Sequence, residues 1–525
     1  MKALRAAILG FAAAAVLCVQ PARAEDGTTL RFIPQADLRV LDPVWSTAYI
    51  TRNHAYMIYD TLFGMDENFK PQPQMVESWS VSPDKLTYKF TLRDGLKFHD
   101  GAPVRAEDCV ASLLRWMKRD AIGQKLADAL GEIKALDERS FSIALKHPFP
   151  LLIDSLGKLS GNPFIMPERV ARTDANEQIK DYTGSGPFIF DVKSWNPGDK
   201  AVYRRNPDYV PRKEAPDWTA GGKVVKVDRV EWVYIPDATT AANALISGEV
   251  DWWQQVPTDL VPLLKKNDKI HVAASDPLGY QAILRFNQLQ PPFNNVKLRQ
   301  AVLTAIDQKE YMQAVAGDPA YWRTCYSFFA CKTPLATEAG AEALMGRREI
   351  EKAKEMVKAS GYKGERAVIL DATDYAAVHA EALVTVDLLK RIGINAELAT
   401  SDWGTVLTRR SKRGPVEEGG WSIFHTSFQG PDATTPANND GLRANGEKAW
   451  FGWPTDAAIE ALRNQWVVSE SLPEQKHIAA DIQREAFQSL PYIPLGQFAI
   501  PTAWRDSLTG VLTSPVPELW NVSKK

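Results

Sequence analysis

The chain has 525 residues, 45% hydrophobic and 10% aromatic, enough for several packed cores; disorder, collagen-like repeats and a small disulfide-held scaffold are excluded. Its 62 Lys+Arg against 64 Asp+Glu give a formal charge of −2, and the longest basic run is Arg409-Arg410-Ser411-Lys412-Arg413, so nucleic acid is not an expected partner.

At the amino terminus, Lys2 and Arg5 precede an apolar run over 6–19, and Ala22-Arg23-Ala24 supplies a small-x-small cleavage pattern before Glu25. This predicts a cleaved signal peptide over 1–24 and export to the periplasm. Leu17 stands before Cys18 where lipid attachment needs a small residue, which argues for simple cleavage. No later apolar run reaches the length of a membrane span, so no membrane insertion is expected.

Residues 85–98 alternate around Leu86, Tyr88, Phe90 and Leu92 and turn at Arg93-Asp94-Gly95, a pattern of antiparallel strands in a separate small subdomain. Cys109, Leu113 and Trp116 fall on one helical stripe, where a buried, inert thiol is expected. Residues 230–235 read as a strand, Ala238, Ala242 and Leu245 as a helix stripe capped at Gly248, and Val250 begins the next strand. Leu284-Arg285-Phe286-Asn287 reads as a strand leaving one lobe, with a turn at Pro291-Pro292. Cys325 and Cys331, between turn signals at 317–319 and Pro334, predict a disulfide closing a small loop; a zinc site is the weaker alternative because no histidine lies nearby. A second strand–helix–strand unit runs from 367–372 through Ala382, Val386, Leu389 and Ile392 to Gly393 and a strand around Ile394, Ala396 and Leu398. Two such units in different halves of the chain predict an α/β protein with at least two lobes.

A search for catalytic chemistry is negative. The chain has no His-Glu-x-x-His, Gly-x-Ser-x-Gly, phosphate-loop or dinucleotide-binding motif, and its seven histidines form no i, i+3 or i, i+4 pair. Gly184-Ser185-Gly186-Pro187 only begins like a phosphate loop, and Pro187 lacks the amide such a cradle uses. No cofactor is expected, and the protein is not expected to be an enzyme.

Pro73-Gln-Met-Val-Glu-Ser-Trp79, Tyr88-Lys-Phe-Thr-Leu-Arg-Asp-Gly95, Lys97-Phe-His-Asp-Gly101, Gly184-Ser-Gly-Pro-Phe188, Arg205-Asn-Pro-Asp-Tyr209, Ala244-Leu-Ile-Ser-Gly-Glu-Val-Asp251, Arg285-Phe-Asn287 and Pro491-Tyr-Ile-Pro-Leu495 together resemble the family 5 extracellular solute-binding proteins of bacterial ABC importers. The resemblance implies a two-lobed periplasmic binding protein fold, type II-like, with an extra subdomain inserted in the first lobe. On this pattern lobe I takes 25–62, 183–283 and 496–525, the inserted subdomain takes 63–182, and lobe II takes 284–495. It also implies hinge closure around a peptide-like or other small organic solute, delivery to the permease subunits of the transporter, and a working monomer. A secreted hydrolase or a periplasmic chaperone reusing the fold are the alternatives.

The same resemblance implies site residues. Asp402-Trp403 matches an acid-Trp pair that opens a lobe II helix and lines ligand pockets, and Arg410 matches an arginine that meets a ligand carboxylate. Gly420-Trp421 matches a second cleft tryptophan. Three residues beyond it, peptide binders hold the ligand's α-ammonium on an aspartate, but this chain has Phe424, leaving His425 or Asp432 as substitutes. Trp45 and Tyr49, following Leu41-Asp42-Pro43, together with Asn287 and Tyr280, are further candidates by position. The series Trp421, Phe424, Phe428, Trp450, Phe451 and Trp453 is either an apolar pocket or lobe II core.

Overall fold

The strands with the most continuous apolar sequence are those with both faces covered, and they form the centres of two large sheets. The computed structural model describes residues 28–525 apart from Ser275 and Glu470; the expected signal peptide lies outside the described residues. The first sheet has seven strands in the order Phe188–Phe190, Lys200–Arg205, Arg229–Val233, Thr29–Ile33, Trp252–Trp253, Pro501–Arg505 and Ile270–Ala274. Its middle three strands are parallel, with Leu30 opposite Val230 and Phe32 opposite both Trp232 and Trp252. The helix Ala238–Ser247 provides the crossover between two of them. The Asp237 carboxylate caps its start by accepting from the Thr240 amide at 2.7 Å, and Gly248 ends it at φ 84°, where a side chain would be strained.

The second sheet has six strands in the order Trp322–Arg323, Tyr492–Phe498, Tyr280–Phe286, Ile423–Gln429, Ala367–Ala372 and Ala396–Ser401. Ala367–Ala372 is buried along its whole length and runs parallel to both neighbours, joined to Ala396–Ser401 through the helix Ala376–Arg391. Both sheets are covered by helices, giving the two-lobed α/β architecture.

The chain passes between the sheets twice, through residues 276–279 and 499–500. The crossings lie against each other at Gly279, where an added Cβ would meet the Phe498 carbonyl oxygen at 2.5 Å, so the close approach requires glycine. Short, adjacent connections of this kind let two lobes rotate with little change elsewhere.

A four-stranded antiparallel sheet, Val76–Val81, Thr87–Leu92, Ser140–Leu145 and Leu130–Ala135, carries the helix Ala106–Trp116 on one side. Cys109 on that helix is fully buried and free, while Cys325 and Cys331 form the expected disulfide. Among the described residues no helix is long and apolar enough to cross a membrane.

Candidate functional site

The first lobe's wall of the cleft depends on one carboxylate. Asp42 accepts from the amides of Val44 at 3.0 Å, Trp45 at 3.3 Å and Ile179 at 3.0 Å, and from both terminal nitrogens of buried Arg115 at 3.0 and 2.7 Å. A bidentate guanidinium–carboxylate pair with every lone pair used is rigid, so residues 43–48 are fixed although they form no regular structure, and they lead into the helix Tyr49–Ile58. That segment and the first residue of the helix present Trp45, Thr47 and Tyr49 to the second lobe, and the loop after helix Leu152–Leu156 adds Lys158, Ser160 and Gly161.

The second lobe's wall is built on the short helix Trp403–Arg409. The Asp402 carboxylate caps it by accepting from the Thr405 amide, and Asp374 accepts from the Trp403 amide at 2.7 Å. Arg410 follows directly. Its backbone carbonyl accepts from Trp421 Nε1 at 3.1 Å, and the Trp421 carbonyl accepts from Asn287 Nδ2 at 2.9 Å, so two buried side chains hold the place from which Arg410 projects.

The lobes are in contact. Tyr49 donates to Asp432 at 2.8 Å and accepts from the Gln429 amide at 2.6 Å, while Arg52 donates to Gln429 and Ser160. Thr47 Oγ1 accepts from Trp450 Nε1 at 3.1 Å and Arg410 Nη2 at 3.4 Å. Farther out, Arg39 pairs with Asp402 at 3.0 Å, Lys125 with Glu460 at 3.1 Å, and Tyr234 donates to Asp374 at 2.7 Å.

Between the walls lies a cavity of about 60 Å³, room for a handful of water-sized groups. Arg410 lines it at 2% exposure, with its guanidinium 4.6 Å from the Phe451 ring centroid and 5.6 Å from those of Phe424 and Trp450. No carboxylate pairs with it among the described residues, and Nε has no hydrogen-bond partner. Burial pulls its pKa down to about 9, still cationic at neutral pH. Aromatic faces compensate part of the desolvation of a guanidinium but leave its in-plane N–H donors unused.

Two carboxyl groups, Asp432 and Asp440, line the same cavity. Burial raises the Asp432 carboxyl above its ordinary range, although Arg52, Ser160, Tyr49 and Lys158 pull the other way. Asp440 is pushed up to about 6, again by burial, and its Oδ1 has no partner. Lys158 pairs with Asp120 at 2.5 Å; desolvation lowers its pKa, and Asp120, Asp440 and Asp432 together more than offset that. The cavity is thus lined by an unpaired cation at Arg410 and by two acids, Asp432 and Asp440, with Lys158 beside them. Past Thr47, Gly161, Asp440 and Trp450, which line both spaces, lies a larger cavity of about 680 Å³ walled by Trp45, Arg119, Arg413, Arg443 and Trp453.

Residues 70–448 match the model of the bacterial extracellular solute-binding proteins, family 5. The chain belongs to this family. It is 43% identical over 523 residues to the probable peptide ABC transporter periplasmic-binding protein y4tO of Sinorhizobium fredii, covering 98% of each chain. It is 25% identical over 512 residues to the glutathione-binding protein GsiB of Escherichia coli, covering 91% of each. Among solved structures, AgaA of A. tumefaciens R10 in complex with agropinic acid superposes with a TM-score of 0.80 at 22% identity, over 95% of this chain and 99% of that one. DppA from Helicobacter pylori in complex with the peptide STSA gives a TM-score of 0.78 at 22% identity, over 95% and 98%. At these identities the two structures establish the shared fold.

In this family 5 protein, the residues singled out from sequence divide into two groups. Trp403, Arg410, Tyr49 and Asp432 line the small cavity, and Trp45 lines the larger one. Trp421, Phe424, His425, Asn287 and Tyr280 line neither and are at most 3% exposed. Phe424 lies beneath Arg410, packed edge-on against Trp421 and Trp450 with ring centroids 5.1 and 5.5 Å away. His425 points into the helix layer and meets Thr385 at 2.8 Å; burial holds it neutral, with a pKa of about 3. Tyr280 stacks on Phe498 beside the crossings and accepts from Gln429 Nε2 at 3.2 Å. Sequence reasoning missed Lys158, Ser160, Asp440, Arg119 and Arg443, because each is a polar residue in a turn, loop or short 3-10 segment with no periodic or motif signal.

Proposed function

We propose that this solute-binding receptor of an ABC importer encloses a peptide-like anionic solute between its lobes, with a carboxylate on Arg410, an amine facing Asp432 and Asp440, and the remainder in the larger cavity. The observation that carries this reading is the buried Arg410 guanidinium, which lines the cleft with no carboxylate of its own and an unused Nε donor. A buried cation kept without a counterion is costly unless a ligand completes it, and a closed cleft makes the completed pair strong because water does not compete. The peptide and glutathione named for the relatives support the same ligand class. Asp432 and Asp440 supply the acid that Phe424 cannot, so a free amine is accommodated despite that substitution.

In this reading the chain acts in the periplasm after loss of its signal peptide, works as a monomer, has no catalytic activity and hands its solute to the membrane permease. Lobe I takes 25–62, 183–279 and 499–525, with 63–182 inserted, and lobe II takes 280–498, a shift of a few residues from the sequence expectation that keeps the strands Tyr280–Phe286 and Tyr492–Phe498 whole in the second sheet. Calorimetry with free di- and tripeptides and their C-terminal amides tests the anchor. Amidation is expected to weaken binding roughly ten- to hundredfold, the worth of a charge-assisted hydrogen bond of about 1.5–3 kcal/mol. Equal affinity for acid and amide would overturn it.

A further inference from the structure

The larger cavity carries more positive charge than the protein itself neutralises. Five basic and three acidic side chains line it. Of the acids, Asp120 is already held by Lys158 from the adjoining small cavity. Glu447 is 85% exposed at its side chain and comes only within 3.8 Å of Arg413. Asp440 faces the small cavity as well and is shared between the two spaces.

Two of the arginines are left with uncharged partners. Arg443 is 2% exposed, and its guanidinium donates to the amide oxygens of Asn445, at 2.9 Å, and Gln124. Arg119 donates to the Asn176 amide oxygen at 3.0 Å and the Trp45 carbonyl at 3.3 Å. Neither forms an ion pair with a carboxylate among the described residues. Burial lowers the pKa of both, Arg443 to about 10, yet both stay charged. Glu460, whose charge acts on Arg443, is itself taken by Arg463 and Lys125 at 2.6 and 3.1 Å. Guanidinium groups bonded only to neutral oxygens still hold their full charge, and an anion entering the space beside them gains charge-assisted hydrogen bonds.

The position of this wall matters. The two cavities meet at Thr47, Gly161, Asp440 and Trp450, so a solute anchored on Arg410 extends past the Trp450 ring toward Arg119 and Arg443. Trp45 and Trp453 on the same wall offer flat faces for the connecting part of the solute.

We propose that the larger cavity is a second anion subsite and that the transported solute carries two acid groups, one held by Arg410 and the other by Arg119 and Arg443. The assignment rests on the peptide-like reading above. It extends that reading from a single carboxylate to a diacid, such as a short peptide with an acidic side chain.

Calorimetry on the mature full chain with Glu-Ala, Ala-Glu, Gln-Ala and Ala-Gln tests it. At least one glutamate peptide is expected to bind tenfold or more tightly than its glutamine counterpart, because only a charge differs within each pair. Arg443→Gln and Arg119→Gln are each expected to reduce that advantage. Arg119 is the less buried of the two, so its variant keeps the test readable if Arg443→Gln does not fold. Equal affinities within both pairs would overturn the second subsite and leave the peptide-like reading standing. An advantage surviving both substitutions would place the second acid elsewhere and overturn the assignment. Binding of none of the four would overturn the peptide-like reading and this inference with it.

Discussion

Arg285 and Arg410 are two buried arginines in the same lobe with opposite surroundings. Arg285, 0% exposed in the central strand Tyr280–Phe286, donates to four backbone carbonyls, of Phe451, Gly441, Pro491 and Trp450, at 2.6 to 3.3 Å. Arg410 donates to one threonine hydroxyl at 3.4 Å, has an unpartnered Nε, and is surrounded by aromatic rings. Burial lowers both to about 9. Equal burial and equal pKa depression therefore do not distinguish a structural arginine from a binding one. Hydrogen-bond satisfaction does, because a fully used guanidinium has nothing left to offer a ligand.

The comparison breaks most visibly at Arg285. Two of its carbonyl partners are those of Trp450 and Phe451, the rings packed around Arg410, so Arg285 positions the cavity wall without touching the cavity. Arg285→Met is expected to cost at least about 3 kcal/mol in urea unfolding, since it orphans several buried acceptors worth about 1–3 kcal/mol each before relaxation. A loss under about 1 kcal/mol would show that those loops are held by something else.

The scaffold side sharpens further at the disulfide. Replacing Cys325 and Cys331 by Ser is expected to cost about 2 kcal/mol, the loop-closure entropy of so short a loop, with ligand affinity unchanged. Alkylation of the denatured, unreduced mature protein checks the pairing, with Cys109 alone modified. Labelling of all three thiols would remove the bridge from the account.

A smaller effect separates pH-sensitive scaffold from the site. Glu518 is 1% exposed and accepts from Ser514, and burial raises its carboxyl from 4.5 to about 8. A raised carboxyl favours the folded state while protonated, so its contribution is present below pH 4.5 and lost as pH rises through about 8. Glu518→Gln is expected to flatten this decline, seen as urea midpoints that differ less between about pH 5 and about pH 8.5 than in the parent. An unchanged slope would show that Glu518 titrates normally.

The sequence made the scaffold legible and the site only in part. The strand at 367–372, the helix ending at Gly393 and the crossover helix capped at Gly248 emerged because periodicity and glycine placement follow from local geometry. The motif Arg285-Phe-Asn287 carried the family resemblance, yet Arg285 and Asn287 serve the backbone, which is why the motif marks the fold and not the solute. Strand Ile423–Gln429 is buried on both faces and carries Phe424 and Phe428 on the same one, so nothing in its pattern could tell that Phe424 is packed beneath Arg410 while Phe428 reaches the cavity. Lys158, Asp440 and Arg443 acquire meaning only when two lobes distant in sequence come together, and no one-dimensional pattern records that meeting.

The most direct test of the central claim, that Arg410 is kept buried for a ligand and not for the fold, is to measure stability and binding together in Arg410→Met. Methionine fills similar volume without charge, and replacing an unpaired buried cation by an apolar side chain is neutral or stabilising. The account predicts a urea unfolding free energy within about 1 kcal/mol of the parent or above it. In the same preparation, affinity for an anionic peptide is expected to fall roughly ten- to hundredfold. Retained affinity, or a stability loss as large as that of Arg285→Met, would contradict it.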